Sequence, residues 1–431
     1  MSIAETIPES DYDTLKVRMT ASDFISIDRS AMKRLYVAQS RPAVLPKYGE
    51  TLRKAIEGAL DDSCGRSLAE AVDVSRPVML VIDDHTRGTP TSLALEVLYE
   101  RLRSIGVSDD QMTILVSAGT HRPMSAEEVR SKTGEIGKRL KIVLHDCSDP
   151  EGLFLAGKID EIPVWLNKRL RDAGTVIGIG SVVAHKFSGW SGGAKIICPG
   201  LTGYETIYRC HYKSIVEERI VPGQCENWFR SFINKVGDLA GLKFCVNFVP
   251  TVGGIVGVAA GEPRETLSRS ISLAENAMTA CFPERFDLVM VSSFPATTDL
   301  WQSGKGFYIG EMLVRNGGTL VLVTPLDEGL GDHPDFIALL DRKPSDILGL
   351  LDSNKLSDPL AAVAAYAIRR IGERCKLRIV TSNAALHGQL LLGAPITGDL
   401  ASVVLEAFPS GCGSAGQLND SYVLPKIVTQ A

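Results

Sequence analysis

The stretch PVMLVIDDHTRGTPTSLALEVLYERLRSIG, residues 77–106, decides the fold. Its first eight residues are an apolar run closed by two carboxylates, Asp83 and Asp84. A polar loop, HTRGTPTS, follows, and a helical stretch, LALEVLYERLRSIG, ends it. The same design recurs in QMTILVSAGTH, 111–121, and in KRLKIVLHDCSD, 138–149. Strands alternating with helices at these lengths predict an α/β fold with a largely parallel sheet. In such sheets ligands gather beyond the C-terminal ends of the strands. That rule sets Asp84, Thr86, Arg87, His121, Asp146 and His185 on one rim.

Each rim residue also has an ordinary structural reading. Asp84, Thr86 and Thr89 suit turn closure or helix capping, and Pro90 suits an early helical position. Arg87 stands between an apolar strand and an apolar helix, where an arginine needs a partner. Ser125 and Glu128 have capping-box spacing, so a helix is expected to start there and leave His121 in the loop before it. His145 still belongs to a strand and is expected to pack.

Further along, the apolar run GTVIGIGSVV, 174–183, opens into HKFSGWSGGAKIICPGLTGYETIYRCH, 185–211. Glycines at 189, 192, 193 and 200 surround Lys195, and His185 and His211 bracket the segment. A loop of this kind brings backbone N–H groups close to an anion. Lys195 adds a charge or a nucleophile. The spacing fits neither a P-loop nor a zinc motif.

The rest of the chain reads as a second α/β unit. FDLVMVSSF at 286–294, GTLVLVTPL at 318–326 and CKLRIVTSNA at 375–384 are apolar strands, with helical segments between and after them. Two α/β domains are expected: 1–268, carrying the rim residues, and 269–406, with a glycine-rich tail, 407–431, crossing back to the first. Among 431 residues the net charge is -5 and no basic block appears, which gives no support to nucleic-acid binding. No run reaches the length of a membrane span, and the start lacks the pattern of a signal peptide. Nine scattered cysteines, an odd number with no CxxC pair, point to reduced thiols in a cytoplasmic protein.

Taken jointly, these segments resemble the nickel-pincer racemase family, whose best-known activity is lactate racemisation. DDHTRGTP at 83–90 is similar to the family's aspartate–threonine–arginine loop, and AGTHRPMSAEE at 118–128 to its first catalytic histidine segment. HKFSGWSGGAKIICPG at 185–200 resembles the segment of the second histidine and the cofactor-bearing lysine. His211 and WQSGK at 301–305 complete the series in order. The resemblance implies two α/β domains with the active site in the cleft between them. It implies a nickel-pincer mononucleotide, made by maturation enzymes and attached at Lys195, with His211 as a nickel ligand. Asp84, Thr86, Thr89, Gly192 and Gly193 are then cofactor-binding candidates.

The implied reaction is inversion at C2 of a 2-hydroxy acid. Removing that hydrogen as a proton is hard beside a carboxylate, whereas removing it as hydride leaves a neutral ketone that the cofactor's chemistry serves. His121 and His185 become the acid–base pair, and Arg87 the partner of the reacting oxygen. Gln302 and Lys305 suit the substrate carboxylate. Trp301 and His85 depart from the lactate-specific pattern and mark the substrate pocket, which leaves aliphatic, aromatic, dicarboxylic and sugar acids open. A nicotinamide-dependent oxidoreductase is the first alternative, but GIGSVV at 178–183 lacks the third glycine of its fingerprint. A zinc hydrolase is the second and needs three converging ligands. A binding protein that had lost the chemistry is the third, yet Lys195, His121 and His185 are all present.

Overall fold

The computed structural model describes residues 2–428 apart from 4, 8–13, 29–31, 218–219, 332, 354–355 and 410–412. Residues 410–412 of the glycine-rich tail, Cys412 among them, therefore lie outside the described residues. The chain divides into two compact units, Pro42–Ala277 and Met1–Arg41 with Met278–Ala431.

The Pro42–Ala277 unit is built on six strands. They are β1 (Val78–Asp83), β2 (Met112–Ser117), β3 (Lys141–Leu144), β4 (Thr175–Ser181), β5 (Leu242–Thr251) and β6 (Gly254–Gly261). Their order across the sheet is β6-β5-β4-β1-β2-β3. All neighbours are parallel except β5 and β6, which form a hairpin. β1 is buried along its whole length, which explains its unbroken apolar run. Its residues alternate between two cores. Val78, Leu80 and Ile82 pack with helices α1 (Glu50–Asp61) and α2 (Thr91–Ser104). Met79 and Val81 pack on the other face with Phe232 and Ile233. The chain runs from β1 outward to β3, then returns to place β4 on the other side of β1. The strand order reverses there, and a cleft opens beyond the strand ends at such a point. Helix α3 (Ala126–Thr133) starts with the expected capping box, Ser125 to Glu128.

The second unit carries another six-stranded sheet. Its order is Lys376–Val380, Val314–Val323, Phe286–Ser292, Gly413–Leu418, Met32–Ala38 and Glu5–Ile7. The domain limits expected from the sequence need correction here. Residue 268 falls inside an unbroken helix, Pro263–Met278, so the chain does not divide there. The N-terminal strand Met32–Ala38 belongs to this second sheet, because it pairs in parallel with Gly413–Leu418. Among its described residues the tail pairs within this second unit. Gly413–Leu418 also pairs with Phe286–Ser292, and Leu424–Ile427 pairs with Thr279–Phe282. Among the described residues no helix is long and apolar enough to cross a membrane.

Candidate active site

Asp84 follows the end of β1 and is 2% exposed. Its Oδ2 lies 2.6 Å from Nδ1 of His121, in the loop after β2. Its Oδ1 accepts the backbone N–H of Thr86 at 3.0 Å and the Thr86 hydroxyl at 2.6 Å. Burial alone would raise the Asp84 pKa. Hydrogen bonding and charge from His121, with Arg87 and Thr86 helping, instead hold it well below the usual carboxylate range. A carboxylate only accepts, so it fixes the His121 hydrogen on Nδ1 and makes Nε2 the basic nitrogen. Arg87 donates to the Thr86 hydroxyl at 2.7 Å, so the arginine is tied to Asp84 through Thr86. His85, in the same loop, is half-buried, and its buried Nδ1 has no hydrogen-bond partner among the described residues.

A second buried network lies on the same loop. Asp83 accepts from Lys132 Nζ at 2.8 Å and from the Thr89 hydroxyl. Thr89 also meets the Ser181 hydroxyl at the end of β4, 2.6 Å away. Lys132 donates to the Arg87 carbonyl at 2.7 Å as well. The pair therefore clamps the arginine loop to helix α3 and to β4. Sequence reasoning set Thr89 among ligand contacts, whereas its hydroxyl is engaged inside this network. It missed Lys132 entirely, since a lysine late in a surface helix gives no sign of a buried partner.

Lys195 sits in a short helical turn, Gly193–Ile196, beyond β4. Gly192 and Gly193 both have positive φ, and a Cβ on Gly192 would come within 2.4 Å of Val182. The Gly193 N–H points to Asn247 Oδ1 at 3.4 Å. This turn is stitched to the His121 loop. Ser117 donates to the Ile196 carbonyl at 2.7 Å, and the Gly119 N–H donates to Gly200 O at 3.0 Å. His185 lies just ahead of the turn. Its Nδ1 faces the backbone N–H groups of Phe187 and Ser188 at 3.2 and 3.4 Å, and the Ser188 hydroxyl at 3.2 Å.

His211 is buried on helix α4 (Tyr204–Glu217). Its Nδ1 donates to the Ile207 carbonyl at 2.8 Å, so Nε2 keeps its lone pair. The rings of Phe187 and Phe229 meet the imidazole edge-on at 5.2 and 4.8 Å. Burial pushes the His211 pKa down to about 4, the Ile207 carbonyl opposes it and the Lys195 charge adds to the lowering. A neutral imidazole with a fixed tautomer is the form that binds a borderline metal such as nickel, and Lys195 is within electrostatic reach of it. The donor set thus fits a lysine-tethered group carrying nickel. Among the described residues no three His, Cys, Asp or Glu side chains are grouped to hold a metal. The three-ligand zinc arrangement does not form among them.

One rim expectation, Asp146, falls outside this cluster, and its neighbour His145 packs as expected. His145 is buried between the Thr202 carbonyl, 3.0 Å from Nε2, and Asn167 Nδ2, 3.1 Å from Nδ1, as a packing histidine. Asp146 is exposed and closes a turn onto the Ser148 N–H. Trp301, Gln302 and Lys305 belong to the other unit. There Lys305 Nζ donates to Gln302 Oε1 at 2.6 Å, and Trp301 stacks on His333 with ring centroids 4.1 Å apart.

Residues 27–223 match the family model described as the lactate racemase N-terminal domain. The chain is 27% identical over 302 residues to a lactate racemase of Lactiplantibacillus plantarum, covering 67% of this chain and 70% of that protein. It is 25% identical over 320 residues to a lactate racemase of Thermoanaerobacterium thermosaccharolyticum, covering 72% and 74%. The solved lactate racemase apoprotein from the latter organism superposes with a TM-score of 0.83, at 19% identity, over 96% of this chain and 100% of that one. A solved protein from Thermotoga maritima gives 0.69, also at 19% identity, over 90% and 100%. At that identity the two structures establish the shared fold.

Proposed function

The chain belongs to the lactate racemase family, and on that footing we propose that it is a racemase or epimerase of a 2-hydroxy acid, with a nickel-pincer nucleotide carried on Lys195. The observation that supports this best is the pairing of His121 with Asp84 on loops tied to the turn that holds Lys195, with His211 in electrostatic reach of that lysine. When bound, the nucleotide supplies an acceptor for the C2 hydrogen together with its electron pair.

The protein's own residues then handle protons and charge. His121 takes the hydroxyl proton of one enantiomer at Nε2, because Asp84 holds the hydrogen on Nδ1. His185 serves the opposite face and returns a proton to the oxygen of the inverted product. Its Nδ1 accepts from the Phe187 and Ser188 backbone N–H groups, which places the ring hydrogen on Nε2. Arg87, held through Thr86, steadies the reacting oxygen as it becomes a carbonyl. His211 offers Nε2 to the nickel. Gln302 and Lys305 receive the substrate carboxylate, and Trp301 and His85 border its side chain.

Co-production with the maturation enzymes, peptide mapping at Lys195 and a racemisation screen over 2-hydroxy acids test this function. A nucleotide mass on the Lys195 peptide, together with inversion of at least one acid, is the expected result. A fully active protein with unmodified Lys195 overturns it.

A further inference from the structure

Arg230 is 6% exposed, and no carboxylate among the described residues pairs with it. Burial lowers its pKa to about 10, slightly offset by the Cys225 thiol, so it remains a cation at neutral pH. Burying a guanidinium without a carboxylate is unfavourable unless its hydrogen bonds are good. Its partners here are two backbone carbonyls, Trp190 O and Gly192 O. Both carbonyls lead to residues with proposed roles. Gly192 O also accepts the backbone N–H of Lys195 at 3.2 Å. Trp190 O also accepts the Ser188 hydroxyl at 2.7 Å, and the Ser188 Oγ lies 3.2 Å from His185 Nδ1.

We propose that Arg230 is the positioning residue that keeps His185 in register with Lys195, gripping both through the carbonyls of Trp190 and Gly192. This rests on the roles proposed above for those two residues. The planar fork of arginine explains the choice, since a lysine offers a point charge and cannot span two carbonyls in one plane. By giving its hydrogen to Trp190 O, the Ser188 hydroxyl seats Ser188, whose backbone N–H, with that of Phe187, points at His185 Nδ1. Those two donors hold the lone pair on Nδ1 and the ring hydrogen on Nε2. Asp84 holds His121 in the opposite tautomer, with the hydrogen on Nδ1.

The helix that carries Arg230, α5 (Trp228–Leu239), is itself well anchored. Asn227 caps it, accepting the Arg230 N–H at 2.7 Å. Phe229, the neighbouring residue, holds the His211 ring. Gly237 lies so close to Ala194 that a Cβ there would fall 2.7 Å from the alanine's own Cβ. One rigid element therefore touches the metal-ligand candidate, the lysine turn and, through Arg230, the second histidine.

The test uses Arg230→Met, Arg230→Lys and Ser188→Ala, each checked for folding by thermal unfolding. Three readouts are taken: Lys195 modification by intact mass after co-production with the maturation enzymes, kcat per modified site, and the His185 ring-nitrogen signals of the unmodified protein by NMR. In Arg230→Met, misplacement of the reacting groups should lower kcat per site by about 10²-fold, reduce modification of Lys195 and shift the His185 signals. The His387 signals should stay unmoved. Arg230→Lys should recover part of each effect. Ser188→Ala cuts only the histidine arm, so kcat falls while modification stays at the wild-type level. A folded Arg230→Met protein with wild-type His185 signals and wild-type Lys195 modification overturns the proposal. If Arg230→Met does not fold, wild-type His185 signals in Arg230→Lys together with wild-type kcat in Ser188→Ala overturn it instead. Because the NMR readout needs no cofactor, it judges Arg230 even if wild-type Lys195 proves unmodified, an outcome that counts against the proposed function alone.

Discussion

Nδ1 of His121 lies 2.6 Å from Oδ2 of Asp84, and the other oxygen of that carboxylate receives the Thr86 hydroxyl that Arg87 also holds. One buried aspartate therefore orients a base and an arginine at once. Asp84→Asn keeps the shape but supplies an amide that donates, and the His121 tautomer is no longer fixed. We predict a fall in kcat approaching that of His121→Ala or His185→Ala, each in the range of about 10²–10⁴-fold for lost acid–base assistance. Kinetics at matched Lys195 modification check this. A wild-type kcat in Asp84→Asn contradicts the orienting role.

Much of this rim was legible in the sequence, because local pattern suffices for it. β1, β2 and β4 show as apolar runs, and their polar ends follow directly. The spacing of Ser125 and Glu128 marked the start of α3. What stayed hidden depends on contacts distant in sequence. Met32–Ala38 shows nothing local that assigns it to the sheet completed by Gly413–Leu418. Lys132 and Arg230 look like surface cations on amphipathic helices. Only the fold shows that one meets Asp83 and the other grips two carbonyls. The partners of Thr89 were hidden for the same reason, since Asp83 and Ser181 come from two different strands.

His145 gives a pH test of stability. Burial pushes its pKa below the ordinary histidine value of about 6.5, with the Thr202 carbonyl opposing. The folded state therefore favours the neutral ring, and the unfolded chain binds the proton more readily. The stability this contributes is present above about pH 6.5 and is lost as pH falls through the lower folded value. His145→Gln keeps an amide donor and acceptor without titrating. Unfolding temperatures between about pH 5 and 8 should fall more steeply with acid in the wild type than in His145→Gln. Equal slopes contradict the assignment.

Gly189 tests the packing of the lysine segment. Its φ is +70°, and a Cβ there would lie 1.7 Å from the Gln224 carbonyl oxygen, a backbone atom that cannot rotate away. Gly189→Ala should destabilise the protein by about 1–3 kcal/mol or more, as overpacking does. Urea unfolding measures it, and an unchanged midpoint contradicts the geometry.

Lys305 and Gln302 test the anchoring of substrate. Lys305→Ala should raise KM for the best acid of the screen, because the carboxylate loses its cation. Gln302→Ala should raise it less, in keeping with about 0.5–1.5 kcal/mol for a neutral hydrogen bond. Saturation curves settle it, and an unchanged KM in the double variant removes both residues from the substrate site.

The central claim is that the C2 hydrogen leaves and returns with its electron pair while His121 and His185 move only the hydroxyl proton. Racemisation of a 2-hydroxy acid deuterated at C2, by protein modified at Lys195, tests it most directly. Mass spectrometry of the inverted product should find the deuterium still on C2, since that hydrogen never meets water. Replacement of the deuterium by solvent hydrogen at the rate of inversion means a proton is abstracted from carbon, and contradicts the account.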